Sequence, residues 1–245
     1  MSNGTQIIKR DGSKEHLNID KIHKVVMHAC EGLAGVSASL IEMNANIQFY
    51  DGMSTQEIQE VLIRSANDLI SLDAPNYQYA AARLLAYTLN KQVFGEFNAI
   101  SFYDMINKNI ERGVYDSSIL EMYTKEEIET LDSYIKHKRD ENFTYAGLRQ
   151  VVDKYLVQDR SSDEIFETPQ FMYMMIAATL FANYPKEDRM YYVRRYYDAT
   201  SLFKINIPTP VMAGVRTPVR QFASCVLVDS NDTLDSIFAS DMSIG

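Results

Sequence analysis

Residues 171–182 form an almost wholly apolar run of 12 residues, bounded by Thr168-Pro169 on one side and Pro185 on the other. A helix needs roughly 20 such residues to cross a bilayer, so this run must instead be covered by the rest of the chain. Thr168-Pro169 places a capping residue and then a proline at the first helical position, and the spacing predicts a core helix. The chain has the material to cover it. Of its 245 residues 46% are apolar, and it holds 16 Tyr, 11 Phe and 12 Met. That suits one large domain or two small ones and excludes a disordered polymer.

Charge and cysteine count narrow the class further. Acidic side chains number 33 against 24 basic ones, a net charge of −9. A general affinity for nucleic acid would need clustered Lys and Arg, so it is excluded. The first five residues are polar and carry no signal-peptide pattern, so neither export nor a membrane is expected. Two cysteines, Cys30 and Cys225, cannot make a disulfide scaffold and fit a reducing compartment. The expectation is a cytoplasmic globular protein.

The pattern reads as an α+β fold, predominantly helical. The first hundred residues make a small unit. Gln6 to Lys9 and Lys14 to Leu17 flank Asp11-Gly12, a type I′ hairpin signal. A helix follows from about Asp20, with Ile22, Val25, Val26, Ala29 and Leu33 on one face, and a weaker one over 37–47. Ser54-Thr55-Gln56-Glu57 is a capping box, and a long helix runs from near Pro75 to Gly95. Beyond residue 100 helices dominate. Thr124-Lys125-Glu126-Glu127 is a second capping box, 145–155 is a helix, and 155–157 pairs with 165–167 as a hairpin. Pro185 opens a Tyr- and Arg-rich helix. In the last 45 residues Pro208, Pro210 and Pro218 punctuate extended segments, 222–228 reads as a buried strand, and Asp232 opens a last helix. The expected division is 1–97, 98–203 and 204–245.

Few features carry chemistry on their own. Lys9-Arg10-Asp11-Gly12, with Lys14, Lys21 and Lys24 behind it, is a basic start to an acidic chain. It either holds phosphate oxygens near the start of a helix or is a solvated hairpin balanced by Glu15 and Asp20. Thr55 and Gln59 share one helix face, Thr88 and Lys91 another, so the four either line a pocket between helices or serve as cap and surface residues. No metal site is expected: His23 and His28 stand five apart, the wrong offset for shared coordination, and no Cys-x-x-Cys pair exists. Cys30 fits the buried face of a helix. Cys225, where a strand leaves a polar loop, either faces a site or is buried.

Several motifs in order carry a resemblance. Lys9-Arg10-Asp11-Gly12-Ser13, Asn18-Ile19-Asp20-Lys21-Ile22, Phe49-Tyr50-Asp51-Gly52 and Tyr77-Gln78-Tyr79-Ala80-Ala81-Ala82-Arg83 resemble the N-terminal ATP-cone of class I ribonucleotide reductase large subunits. Phe143-Thr144-Tyr145, Lys154-Tyr155-Leu156-Val157, Pro208-Thr209-Pro210, Gly214-Val215-Arg216-Thr217-Pro218 and Arg220-Gln221-Phe222-Ala223-Ser224-Cys225 resemble the region that follows it. The resemblance runs from about residue 5 to about Ser236.

The resemblance implies reduction of ribonucleoside diphosphates by radical chemistry. It makes Cys225 one member of the redox-active cysteine pair and places Thr209 and Ser224 at the substrate. Asp232, Thr233 and Leu234 match the start of the site for a deoxynucleoside triphosphate that sets specificity. Lys9, Glu15, His16, Leu17, Asn18, Ile19, Asp20, Lys21, Thr55 and Lys91 match the positions for ATP as activity effector. Positions often histidine in dATP-inhibited members are Gln59 and Thr88 here, which implies weak dATP inhibition.

The division then reads as ATP-cone, helical domain, and first strand of an incomplete α/β barrel. The radical cysteine and the partner of Cys225 are expected on a second, C-terminal large-subunit chain, making this chain one piece of a split subunit. A small subunit carrying the metal and radical, and a thioredoxin- or glutaredoxin-like reductant, complete the expected partners. The alternative is a nucleotide-sensing cone protein without catalysis. The known repressor of that kind joins its cone to a zinc ribbon, and no Cys-x-x-Cys pair supports one here.

Overall fold

The computed structural model describes residues 4–96, 98–219, 222–225 and 227–244. It opens on a hairpin of β1 (Gln6–Ile8) and β2 (Lys14–His16), paired antiparallel with Ile7 opposite Glu15. The turn is not type I′, which needs positive φ at both central residues. Only Gly12 is left-handed, at φ +79°, while Asp11 Oδ1 accepts hydrogen bonds from Ser13 N and Oγ, drawing the loop out over 9–13. A third strand, β3 (Met53–Ser54), runs parallel to β1 and gives the order β2-β1-β3. Two residues are too few to leave a period-2 signal, so pattern alone missed it.

Three helices belong to the same unit, α1 (Ile19–Cys30), α2 (Ala38–Asn46) and α3 (Thr55–Asp68); α1 and α3 both pack against α2, and α3 also touches β3. Asn18 caps α1 by accepting from Lys21 N, and the Ser54–Glu57 box closes reciprocally on α3. Leu33 lies beyond the end of α1, because the chain leaves the helix at Cys30 and turns through Gly32 and Gly35 at φ +71° and +73°.

Helix α4 (Tyr77–Phe94) ends on left-handed Gly95, as its glycine predicts. Its buried residues, among them Ala80, Ala81, Ala82, Leu84, Leu85 and Ala86, leave no polar face along its middle. The reason is its place: α1 and α3 pack on it from the hairpin side, and α8 (Tyr145–Lys154) and a 3₁₀ turn (His137–Asn142) from the other.

The helical region also holds α5 (Phe102–Glu111), α6 (Ile119–Met122), α7 (Lys125–Tyr134), α9 (Pro169–Phe181) and α10 (Lys186–Ser201). Every residue of α9 from Pro169 to Ala178 is buried, so the apolar run is the core helix expected. Thr168 does not cap it: its Oγ1 is buried without a hydrogen-bond partner. The hairpin after α8 pairs β4 (Gln158–Asp159) with β5 (Glu164–Ile165), closer to the turn than expected. Val157 and Phe166 add one backbone bond, but Val157 N–H goes to the Glu167 carboxylate, which ends the ladder there.

The last stretch departs most from expectation. Residues 209–214 are a helix, α11 (Thr209–Gly214), with Pro210 in the first turn, where a proline costs no hydrogen bond. No described residue of 222–228 is in a strand, and Phe222, Leu227 and Val228 are exposed. A strand needs a neighbour for its backbone groups, and the described residues after β5 supply none. Among the described residues, the expected barrel strand is therefore corrected: 222–225 and 227–228 are exposed and lie in no strand. Arg220, Gln221 and Val226, parts of the motif quoted above, lie outside the described residues. Helix α12 (Leu234–Ile244) follows, with no buried residue.

Candidate functional site

The first candidate site lies where the hairpin meets the last turns of α4. Glu15 on β2 stands between Lys9 at 2.8 Å and Lys21 at 3.5 Å, and the Lys9 hydrogen bond holds its carboxyl below the usual range. Arg10 Nη1 donates to the Lys91 carbonyl at 2.7 Å, tying the hairpin to α4. Burial depresses the Lys91 ammonium, and the charges of Arg10 and Lys21 depress it further. Like charges are thus held close together, and an anion placed among them would relieve the repulsion.

Ile8 pairs with Ser54, so Lys9 and Thr55 both follow at the same end of the parallel pair. One turn along α3, Gln59 Oε1 meets Thr88 Oγ1 of α4 at 3.5 Å, while Thr88 donates to its own Leu84 carbonyl at 3.0 Å. Both groups are neutral, and the single Thr88 proton is taken by the closer Leu84 carbonyl. His16 pairs with Gln6, Leu17 N donates to Thr5 O at 2.9 Å, and Asn18, Ile19 and Asp20 form the cap and first turn of α1. Residues 15–21 are therefore one strip running from strand to helix beside Lys9.

The second site surrounds α11. Thr209 Oγ1 lies 3.2 Å from the Tyr155 hydroxyl, where α8 ends. Behind it Arg216 and Glu167 are an ion pair whose side chains are both 0% exposed. Arg216 Nε reaches both Glu167 oxygens at 2.9 and 3.0 Å, Nη2 donates to the Tyr155 carbonyl at 2.8 Å, and Nη1 donates to the Met212 carbonyl. Glu167 also accepts from Tyr115 Oη at 2.5 Å and Val157 N at 2.7 Å. Burial, then the Glu167 charge, drives the Tyr115 phenol well up, so it remains a donor. Each charge is thus well hydrogen-bonded, the condition under which a buried pair is tolerated. Sequence reasoning assigned no role to Arg216, Glu167, Tyr115 or Tyr155. The available signal was a lone charge in each of two apolar contexts, Ile165-Phe166-Glu167 and Gly214-Val215-Arg216.

The third group is not gathered into a pocket. Cys225 is exposed, with Ser224 Oγ 3.8 Å from its Sγ, and both described cysteines are free thiols. Cys30 is half-buried, and burial pushes its thiol up to about 11. Thr233 Oγ1 accepts from Ser236 N at 3.2 Å and its carbonyl from Ile237 N, so Asp232, Thr233 and Leu234 form the start of α12. Among the described residues no cluster of three or more His, Cys, Asp and Glu could hold a metal. None of their helices is long and apolar enough to cross a membrane.

Residues 5–92 match the ATP cone domain, and residues 141–220 match the all-alpha domain of ribonucleotide reductase. The chain is 52% identical over 244 residues to "Ribonucleoside-diphosphate reductase 1 subunit alpha" of Escherichia coli (strain K12), covering 100% of this chain and 32% of that protein. Along its whole length the chain is similar to the N-terminal third of ribonucleotide reductase large subunits. Identity to the reductase subunit alpha of Haemophilus influenzae is 50% over 244 residues, with 32% of that protein covered. To that of Enterobacteria phage T4 it is 44% over 240 residues, covering 97% of this chain and 31% of that protein. The chain thus spans about a third of the length of these reductase relatives.

Proposed function

We propose that this chain supplies the ATP effector site and part of the catalytic site of an enzyme that reduces ribonucleoside diphosphates. The observation that carries the reading is the cation cluster of Lys9, Arg10, Lys21 and Lys91 at the end of the β1–β3 pair, beside Thr55. A triphosphate is the kind of ligand such a cluster suits, with lysines meeting phosphate oxygens through charge-assisted hydrogen bonds. Glu15, His16, Leu17, Asn18, Ile19, Asp20 and Lys21 form the strip along which the nucleoside lies.

In the catalytic part, Thr209 and Ser224 contact the substrate and Cys225 is one thiol of a redox pair. As the 2′-hydroxyl leaves as water, the two thiols lose two electrons to become a disulfide, and a thioredoxin- or glutaredoxin-like protein reduces it again. The exposure of Cys225 suits both exchanges, since a thiol must be reached to be reduced. The second thiol of the pair and the radical cysteine come from sequence outside these 245 residues. The radical itself originates in a metal-bearing small subunit. Asp232, Thr233 and Leu234 contribute to the site where a deoxynucleoside triphosphate sets specificity. A stand-alone nucleotide sensor has no use for the matched all-alpha domain, so the catalytic reading is preferred.

Calorimetric titration of the chain with ATP tests the effector site. One ATP is expected per chain, and Lys91→Ala should weaken it on the order of tenfold. Absence of ATP binding, or equal affinity in Lys91→Ala, would overturn the reading.

A further inference from the structure

We propose that Tyr155 is a positioning residue for Thr209, held in place by the buried Arg216–Glu167 pair. This rests on the reading of Thr209 as a substrate contact. Three bonds carry the inference. The Tyr155 hydroxyl lies 3.2 Å from Thr209 Oγ1, and its carbonyl is gripped by Arg216 Nη2 at 2.8 Å. The same guanidinium donates through Nη1 to the Met212 carbonyl, inside the short helix that Thr209 begins. One buried cation thus fixes the end of α8 and the body of α11, and Tyr155 closes the circuit at the exposed rim.

The order of donors follows from the substrate. A threonine hydroxyl has one proton and a diphosphate oxygen has none, so Thr209 must donate to the phosphate. Tyr155 then donates to Thr209. A hydroxyl that already accepts a hydrogen bond is a stronger donor, so Tyr155 both aims Thr209 and strengthens its bond to the phosphate. Arg216 and Glu167 act at one remove. Both side chains are 0% exposed, so neither reaches the substrate.

Tyr155→Phe tests this without disturbing the scaffold, because the ring and the carbonyl grip remain. In the complete reductase carrying this sequence, the KM for cytidine diphosphate should rise about two- to tenfold with kcat nearly unchanged. The thermal midpoint and the affinity for ATP should not move. Thr209→Ala should raise the KM at least as much, and Tyr155→Phe combined with Thr209→Ala no further, since the tyrosine acts through the threonine. If Thr209→Ala raises the KM while Tyr155→Phe leaves it unchanged, or if the two effects simply add, the role of Tyr155 is overturned. If Thr209→Ala has no effect, the reading of Thr209 itself fails.

Discussion

Arg216 and Asp140 are two buried charges with opposite accounts. Arg216 has its countercharge in Glu167 and carbonyl partners besides. Removing one partner leaves the other charge buried and unpaired, so Arg216→Met should cost about 3–5 kcal/mol in urea unfolding. Arg216→Met with Glu167→Met should cost less than the single change, and a larger loss in the double variant would contradict the pairing. Among the described residues Asp140 has no ion-pair partner. Gln170 Nε2 donates to it at 2.8 Å, and Gln170 Oε1 accepts from Tyr197, which accepts from Lys136 N. Burial pushes this carboxyl up to about 7 against the Gln170 hydrogen bond, with Glu141 adding a smaller push. In the unfolded chain it ionises at about 4, so over the window between these values the fold retains a proton that the unfolded chain has lost. Stability from Asp140 is therefore full below about 4 and falls as pH rises towards 7. Asp140→Asn keeps the Gln170 bond without the charge. Its gain in thermal midpoint over the parent should widen from pH 4.5 to pH 8, and an equal gap at both would refute the assignment.

At the scale of elements, local chemistry made most helices legible. Ser54 and Thr124 each close a capping box, and Gly95 stops α4 in a left-handed turn. What pattern could not supply was partnership. The apolar stretch after Phe222 looks like a strand until one asks what pairs with it, and the described residues hold no such strand. The proline-marked segment at 208–214 folds as a helix because a first turn tolerates Pro210. The proposed effector residues were picked out by motif, but only the fold brings Gln59 of α3 against Thr88 of α4. That pair offers neither a cation nor an aromatic ring. Millimolar dATP should therefore leave the turnover of the complete enzyme nearly unchanged. Strong loss of turnover at low dATP would show that inhibition does not need histidines there.

Taken whole, the molecule is arranged around α4 and α9. Helix α4 is a wall common to the hairpin unit and the helical region, with Thr88 and Lys91 near its C-terminal end and α8 against its flank. At the end of α8, Tyr155 meets Thr209 through its hydroxyl and the Arg216–Glu167 pair through its carbonyl. Length and composition gave a folded acidic chain with a buried apolar helix, and α9 bears that out. The buried ion pair was not legible, because Glu167 and Arg216 lie 49 residues apart and only tertiary packing joins them.

Cys225 is proposed to take part in the reduction. That role is tested most directly by measuring deoxycytidine diphosphate formed from cytidine diphosphate by the complete reductase, with thioredoxin as reductant, in the parent and in Cys225→Ser. The account predicts turnover in the parent and loss of multiple turnover in Cys225→Ser, with ATP affinity unchanged. Undiminished turnover in Cys225→Ser would contradict it.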